Sequence, residues 1–89
     1  MRFEAQVLVT LKPGLADPEG KAVESALPAL GWTNVSGVRI GKHVRLELEA
    51  DDVDRARAQV EEMTARLLSN PVIEEARING PVPLERREG

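Results

Sequence analysis

The sequence predicts an α+β domain: a two-layer sandwich in which two helices cover one face of a four-stranded antiparallel sheet, in the order β-α-β-β-α-β. Three observations predict it. Residues 3–12 and 43–50 alternate apolar and polar side chains with the period of a half-buried strand. The stretches DPEGKAVESALPAL and DDVDRARAQVEEMTARLLSN instead repeat apolar residues at helical spacing. Each helical stretch leads into an extended one, so the chain divides into two strand-helix-strand halves, about 1–41 and 43–79, of unlike sequence.

In the first strand, Phe3, Ala5, Val7, Val9 and Leu11 share one face, and Glu4, Gln6, Thr10 and Lys12 share the other with Leu8. KPGLADP then breaks the pattern with two prolines and a glycine. Asp17 suits an N-cap, Pro18 the first helical position, and Glu19 the positive end of the helix dipole. Val23, Ala26, Leu27 and Leu30 form one helical face. Pro28 should tighten the last turn, and Gly31 should end it.

A second extended region covers about 34–40 and a third about 43–50, with Gly41-Lys42 as the expected hairpin turn. In the third, Val44, Leu46, Leu48 and Ala50 face one way, and His43, Arg45, Glu47 and Glu49 the other. A two-residue loop would set Ile40 and His43 on the same face. A bulged or three-residue loop, pairing Ile40 with Val44, is therefore expected.

Asp51 or Asp52 caps the second helix, and Val53, Ala56, Val60, Met63 and Leu67 form its inward stripe. Asn70-Pro71 stops it. A last strand at about 72–78 turns Val72, Ala76 and Ile78 inward. The domain is expected to end at residue 79, with 80–89 a loosely held tail. This is the ferredoxin-like order. Its uncovered sheet face would carry a mixture that includes Leu8, Arg39, Arg45, Glu47, Ile73 and Arg77, suited to a partner as much as to water.

Composition narrows the function. At 89 residues, 42% apolar and 30% charged, the chain fits one small soluble globular domain. Aromatic content is 2%, Phe3 and Trp32, so Val, Leu, Ile and Ala must build the core. With no cysteine there is no disulfide, no zinc knuckle and no thiol nucleophile. No apolar run approaches the roughly 20 residues that span a bilayer. MRFEAQVLVT alternates, unlike the apolar block of a signal peptide, and the expected location is cytoplasmic. A net charge of -3 gives no general attraction to nucleic acid or anionic lipid.

Chemistry inside the chain is not expected. A phosphate loop needs a glycine-rich run ending in G-K-[ST]; here Gly20-Lys21 is followed by Ala22, and Asp17 and Glu19 already supply anions to the helix start. His43 is the single histidine, on a polar strand face beside Arg45 and Glu47. It reads as a solvated side chain rather than a general base. The pairs Asp51-Asp52, Glu61-Glu62 and Glu74-Glu75 diverge on a helix or strand and do not make carboxylate dyads. RNA-binding domains of this element order stack bases on strand aromatics, which are missing here.

VTLKPGLADPEGKAVESAL, LGWTNVSGVRIGKHVRLELE and EEMTARLLSNPVIEEARI together resemble the PurS family, the small subunits of phosphoribosylformylglycinamidine (FGAM) synthase. DPEGKAV, VRIGK and LLSNPVIE are the distinctive pieces. The family often has an aromatic where this chain has His43 and Ala76, and the tail after Asn79 is unmatched. The resemblance implies a subunit of a purine-biosynthesis ligase without an active site of its own. It would bridge a glutaminase subunit and a large ATP-dependent synthetase subunit and assist ammonia transfer. ATP and magnesium would belong to the large subunit, with no cofactor in this chain. It implies a homo-oligomer, dimer or tetramer.

By that analogy Gly20, Lys21, Arg39, Gly41, Lys42, Asn70 and Pro71 are partner-contact candidates. Each also has a plainer reading: backbone geometry for the glycines, helix termination for Asn70-Pro71, and solvation for the basic side chains. A small-molecule-binding regulatory module of the ACT type is the alternative function, since it shares the element order. The LKPG loop and the G-K turn would then hold an amino acid.

Overall fold

A computed structural model describes residues 1–84. It contains β1 (Arg2–Leu11), α1 (Pro18–Ala26), β2 (Gly41–Glu49), α2 (Val53–Met63) and β3 (Glu74–Pro83). A 3-10 turn, Pro28–Leu30, follows α1, and a π-helical turn, Thr64–Leu68, follows α2.

The sheet has three strands, all antiparallel, in the order β2-β1-β3. The expected four-stranded sheet and its β-α-β-β-α-β order are therefore corrected to three strands and β-α-β-α-β. The lost strand is 34–40, which joins no ladder. Gly41-Lys42 is not a hairpin turn but the start of β2, with Gly41 opposite Thr10 and Lys42 opposite Val9. Val44, expected beside Ile40, pairs with Val7. Alternation in the sequence reports that a segment is extended; it does not report which segment lies beside it.

Among the described residues, α2 is the helix that covers the sheet. Its Ala56 and Val60 are fully buried, and Val60 packs with Ala5, Val7 and Val9 in a core flanked by Val44, Leu46, Leu48, Leu68 and Ile78. Each buried valine contributes about 1.5–3 kcal/mol by its removal from water. The Asp52 carboxylate caps α2 by accepting the Arg55 N–H at 2.8 Å. Arg57 Nη1 reaches the Gly80 carbonyl at 2.8 Å and ties the helix to β3.

The π-helical turn changes which leucine faces inward. The Ser69 N–H donates to the Thr64 carbonyl, five residues back, so the last turn is wider than an α-turn. Leu67, expected inward, is 82% exposed, and Leu68 takes the core position. Val72, also expected inward, is 78% exposed and sits in the turn before β3. Ala76 is exposed as well, and Ile78 is half-buried as expected. Residues 80–83, read from the sequence as tail, are the end of β3, where Pro81 is buried. Residues 85–89 of that tail lie outside the described residues.

The second correction concerns α1. It starts as expected, with Asp17 as N-cap and Pro18 in its first turn, and Gly31 at φ 106° ends the following 3-10 turn. Yet α1 packs mainly against that turn rather than against the sheet. Residues 12–40 form an arm that continues past the end of β1 and β2, and the molecule is flat, 50 × 37 × 15 Å. Along the arm, Leu15, Val23, Leu30, Trp32, Val35 and Ile40 are all exposed.

Candidate partner-contact site

The contact candidates gather where the arm leaves the sheet. Asp17 is the centre of the junction: Oδ1 accepts the Gly20 N–H at 2.9 Å and Oδ2 accepts the Ile40 N–H at 2.8 Å. These backbone bonds, first from Gly20 and then from Ile40, hold its carboxyl below the usual carboxylate range, and the Arg39 charge adds to the effect.

Gly20 is buried because the Val38 carbonyl lies where its side chain would begin. Gly41 is in the same position against the Val9 carbonyl and the Thr10 methyl. The plainer reading of both glycines as backbone geometry thus has a specific cause, close approach of a neighbouring strand or loop. Arg39 is not a free surface cation either. Its Nη1 donates to the Leu15 carbonyl at 3.0 Å, and its Nη2 to the Lys12 carbonyl at 2.9 Å and the Leu11 carbonyl at 3.4 Å.

Two open cavities flank the junction. One, about 410 Å³, is lined by Leu15, Pro18, Lys21, Glu24, Val38 and Arg39 among others. The other, about 310 Å³, brings Gly41 and Lys42 beside Glu19 and Glu74. Asn70 and Pro71 approach the same end of the sheet, because the Lys12 N–H bonds to the Ile73 carbonyl at 2.9 Å and Leu11 pairs with Glu74. Asn70 is engaged locally: its N–H donates to Glu74 Oε1 at 2.7 Å, and its side-chain oxygen accepts the Val72 N–H at 3.1 Å. Pro71 and Val72 at the crest of this turn are exposed.

His43 is exposed on the opposite face and shares a 2.9 Å hydrogen bond with the Gln6 side chain. The acid pairs are spent separately: Glu61 faces Arg57 and Glu62 faces Arg66, each one helical turn away. Among the described residues no three His, Asp or Glu side chains gather to hold a metal ion, and no helix is long and apolar enough to cross a membrane. The arrangement offers shape and charge at one end of a sheet.

A family model described as PurS, phosphoribosylformylglycinamidine (FGAM) synthase, matches residues 4–81. The chain belongs to the PurS family. A PurS subunit from Synechocystis is 47% identical over 72 residues, 81% of this chain and 72% of that one. The Bacillus subtilis PurS subunit is 41% identical over 75 residues, 84% and 88% of the two chains. Among solved structures, PurS from Thermus thermophilus superposes with a TM-score of 0.78 at 36% identity, over 93% of this chain and all of that one. A chain of the PurLQS structure from Thermotoga maritima gives a TM-score of 0.83 at 30% identity, over 89% and 96% of the chains.

As a PurS chain, this protein is a subunit of FGAM synthase in purine biosynthesis. The ACT-type alternative rested on the β-α-β-β-α-β order, and the three-stranded sheet removes that support. Sequence reasoning recognised Asp17 as a helix cap but missed its bond to Ile40. The legible signal was that DPEGKAV and VRIGK are two of the chain's three distinctive segments.

Proposed function

We propose that this chain is the non-catalytic subunit that bridges the glutaminase and the ATP-dependent synthetase subunits of FGAM synthase and assists ammonia transfer between them. The observation that carries the reading is the likeness, over 89% of this chain, to a chain of the Thermotoga maritima PurLQS structure. A chain without cysteine has no thiol for glutamine hydrolysis, which supports a division of labour. ATP and magnesium belong to the synthetase subunit. The junction end of the sheet, with Lys21 and Lys42 exposed and the Asn70-Pro71 turn beside it, supplies the surface for the other subunits.

The chain acts as a homo-oligomer whose two-fold unit exchanges arms. Each copy carries two unmatched apolar surfaces: Val23, Leu27 and Leu30 along α1 and the 3-10 turn after it, and the Val44, Leu46 and Leu48 side of the sheet that α2 leaves half-covered. The outer edge of β2 is also unpaired. If the arm of one copy lies over the sheet of the other, both surfaces are covered, and the same contact repeats in reverse. Such an isologous exchange closes at two copies.

Synthase activity of the purified large and glutaminase subunits, with and without this chain, tests the bridging reading with glutamine or ammonia as nitrogen donor. Glutamine-dependent turnover should require the chain, and ammonia-dependent turnover should need it less. No change with either donor overturns the reading. Sedimentation of the isolated chain tests the oligomer: a monomer across the micromolar range would exclude arm exchange.

A further inference from the structure

Arm exchange poses a question of choice. A chain that folded 34–40 back along the outer edge of its own β2 would place α1 over its own sheet. It would make the same apolar contacts without the entropic cost of association. That closed form is the four-stranded sandwich expected from extended segments at 34–40 and 43–50, with Gly41-Lys42 in the turn between them. Something present only in the extended arm must outweigh it.

The junction contains such contacts. Arg39 serves the carbonyls of Leu15, Lys12 and Leu11, and Asp17 holds the Ile40 N–H. The Val38 carbonyl fits against Gly20. In the closed form Ile40 would lie beside Val44, and Arg39 beside Arg45. Arg45 pairs with Gln6 on β1. Leu11 lies five positions further along that strand, about 17 Å away at the usual rise per residue, and on the far side of β2. The Arg39 bonds to Leu11 and to Lys12, which Ile73 holds at the sheet end, would not survive the closure, whereas the Asp17–Gly20 cap is local to α1 and would.

We propose that Asp17 and Arg39 form a clasp that selects the extended arm over the folded-back one, so that the chain exchanges its arm with a second copy instead of closing on itself. The proposal rests on the arm-exchange reading above and adds the device that enforces it. Arg39 suits the role because a guanidinium presents five donors in a fixed planar fork, whereas an ammonium has three on a single rotating nitrogen. Gly41 suits the pivot because any side chain there would strike β1 in the extended form.

The test compares the wild-type chain with Asp17→Ala/Arg39→Ala and with Arg39→Lys, which keeps the charge and covers the case in which the double variant does not fold. Ser25→Cys, on the side of α1 away from its apolar face, carries a spin label. Labelled chains are mixed with isotope-labelled, spin-free chains, and broadening is read at the Leu46 amide. In the wild-type background the broadening should appear between chains. Its absence there would sink the arm-exchange reading itself.

For the double variant the dimer dissociation constant should rise at least tenfold, and for Arg39→Lys by a smaller factor. In the monomeric fraction the label should broaden Leu46 of its own chain. Unchanged association in both variants overturns the clasp while leaving arm exchange intact. A monomer whose label broadens nothing also overturns it, because the arm would then be merely loosened and not redirected.

Discussion

The carboxylate of Asp17 accepts the backbone N–H of Ile40, 23 positions along the chain, at 2.8 Å. One residue thereby caps α1 and fastens the far end of the arm to its near end. The carboxyl is held below the ordinary aspartate range by its backbone bonds. The sign follows. A depressed folded value means that the stabilisation is complete above the unfolded value and is lost as pH falls through the folded one. Amide exchange at Gly20 and Ile40 should accelerate in that acid window, relative to amides of β1. Asp17→Asn should remove the dependence on pH.

Gly41→Ala should destabilise the chain by about 1–3 kcal/mol, as for other side chains forced into filled space. Its new methyl meets the Val9 carbonyl and the Thr10 side chain at the first pair of the β1–β2 ladder. Denaturant unfolding gives the magnitude. Loss of β1–β2 amide protection near Thr10, with the α2 side intact, would locate it.

Leu67 and Leu68 separate the α-helical from the π-helical path of the last turn. In the isolated chain Leu67→Ala should change stability by less than about 0.5 kcal/mol, as at other exposed positions. Leu68→Ala should cost about 2 kcal/mol through lost packing against the core. Equal losses at the two positions would contradict the observed phase.

Thr64 is 6% exposed, and its hydroxyl has no hydrogen-bond partner. Thr64→Val keeps the shape and removes the unpaired group, so stability should hold or rise by about 1 kcal/mol. A clear loss, measured by thermal unfolding, would mean that the hydroxyl is paired in solution.

Lys21→Glu and Lys42→Glu reverse exposed charges beside the junction without touching its bonds. Reversal of a rim charge acts mostly on association rate. At limiting concentrations of this chain, glutamine-dependent synthase turnover should fall several-fold. At saturating concentrations it should recover. Ammonia-dependent turnover should change little.

The candidate site was partly legible before the fold was known. DPEGK and VRIGK stood out as segments, and they meet at Asp17 and Ile40. What each residue does there was not legible. Gly20 and Gly41 are shaped by carbonyls of residues remote in sequence, Val38 and Val9, and Arg39 by carbonyls that no side-chain pattern marks.

The sequence by itself determined the local conformations. Alternation made 3–12 and 43–50 extended, Asp17-Pro18 and Asp52 started the two helices, and Gly31 and Asn70-Pro71 closed off what followed them. It also determined the absence of thiol chemistry. Tertiary structure decided the partners: β1 lies between β2 and β3, 34–40 pairs with no strand, and α1 stands apart from the sheet. The physical reason is that strand and helix periodicities arise from contacts a few residues apart. Which extended segments meet depends instead on competing long-range pairings, and here Arg39 and Ile40 are held by residues 27 and 23 positions away.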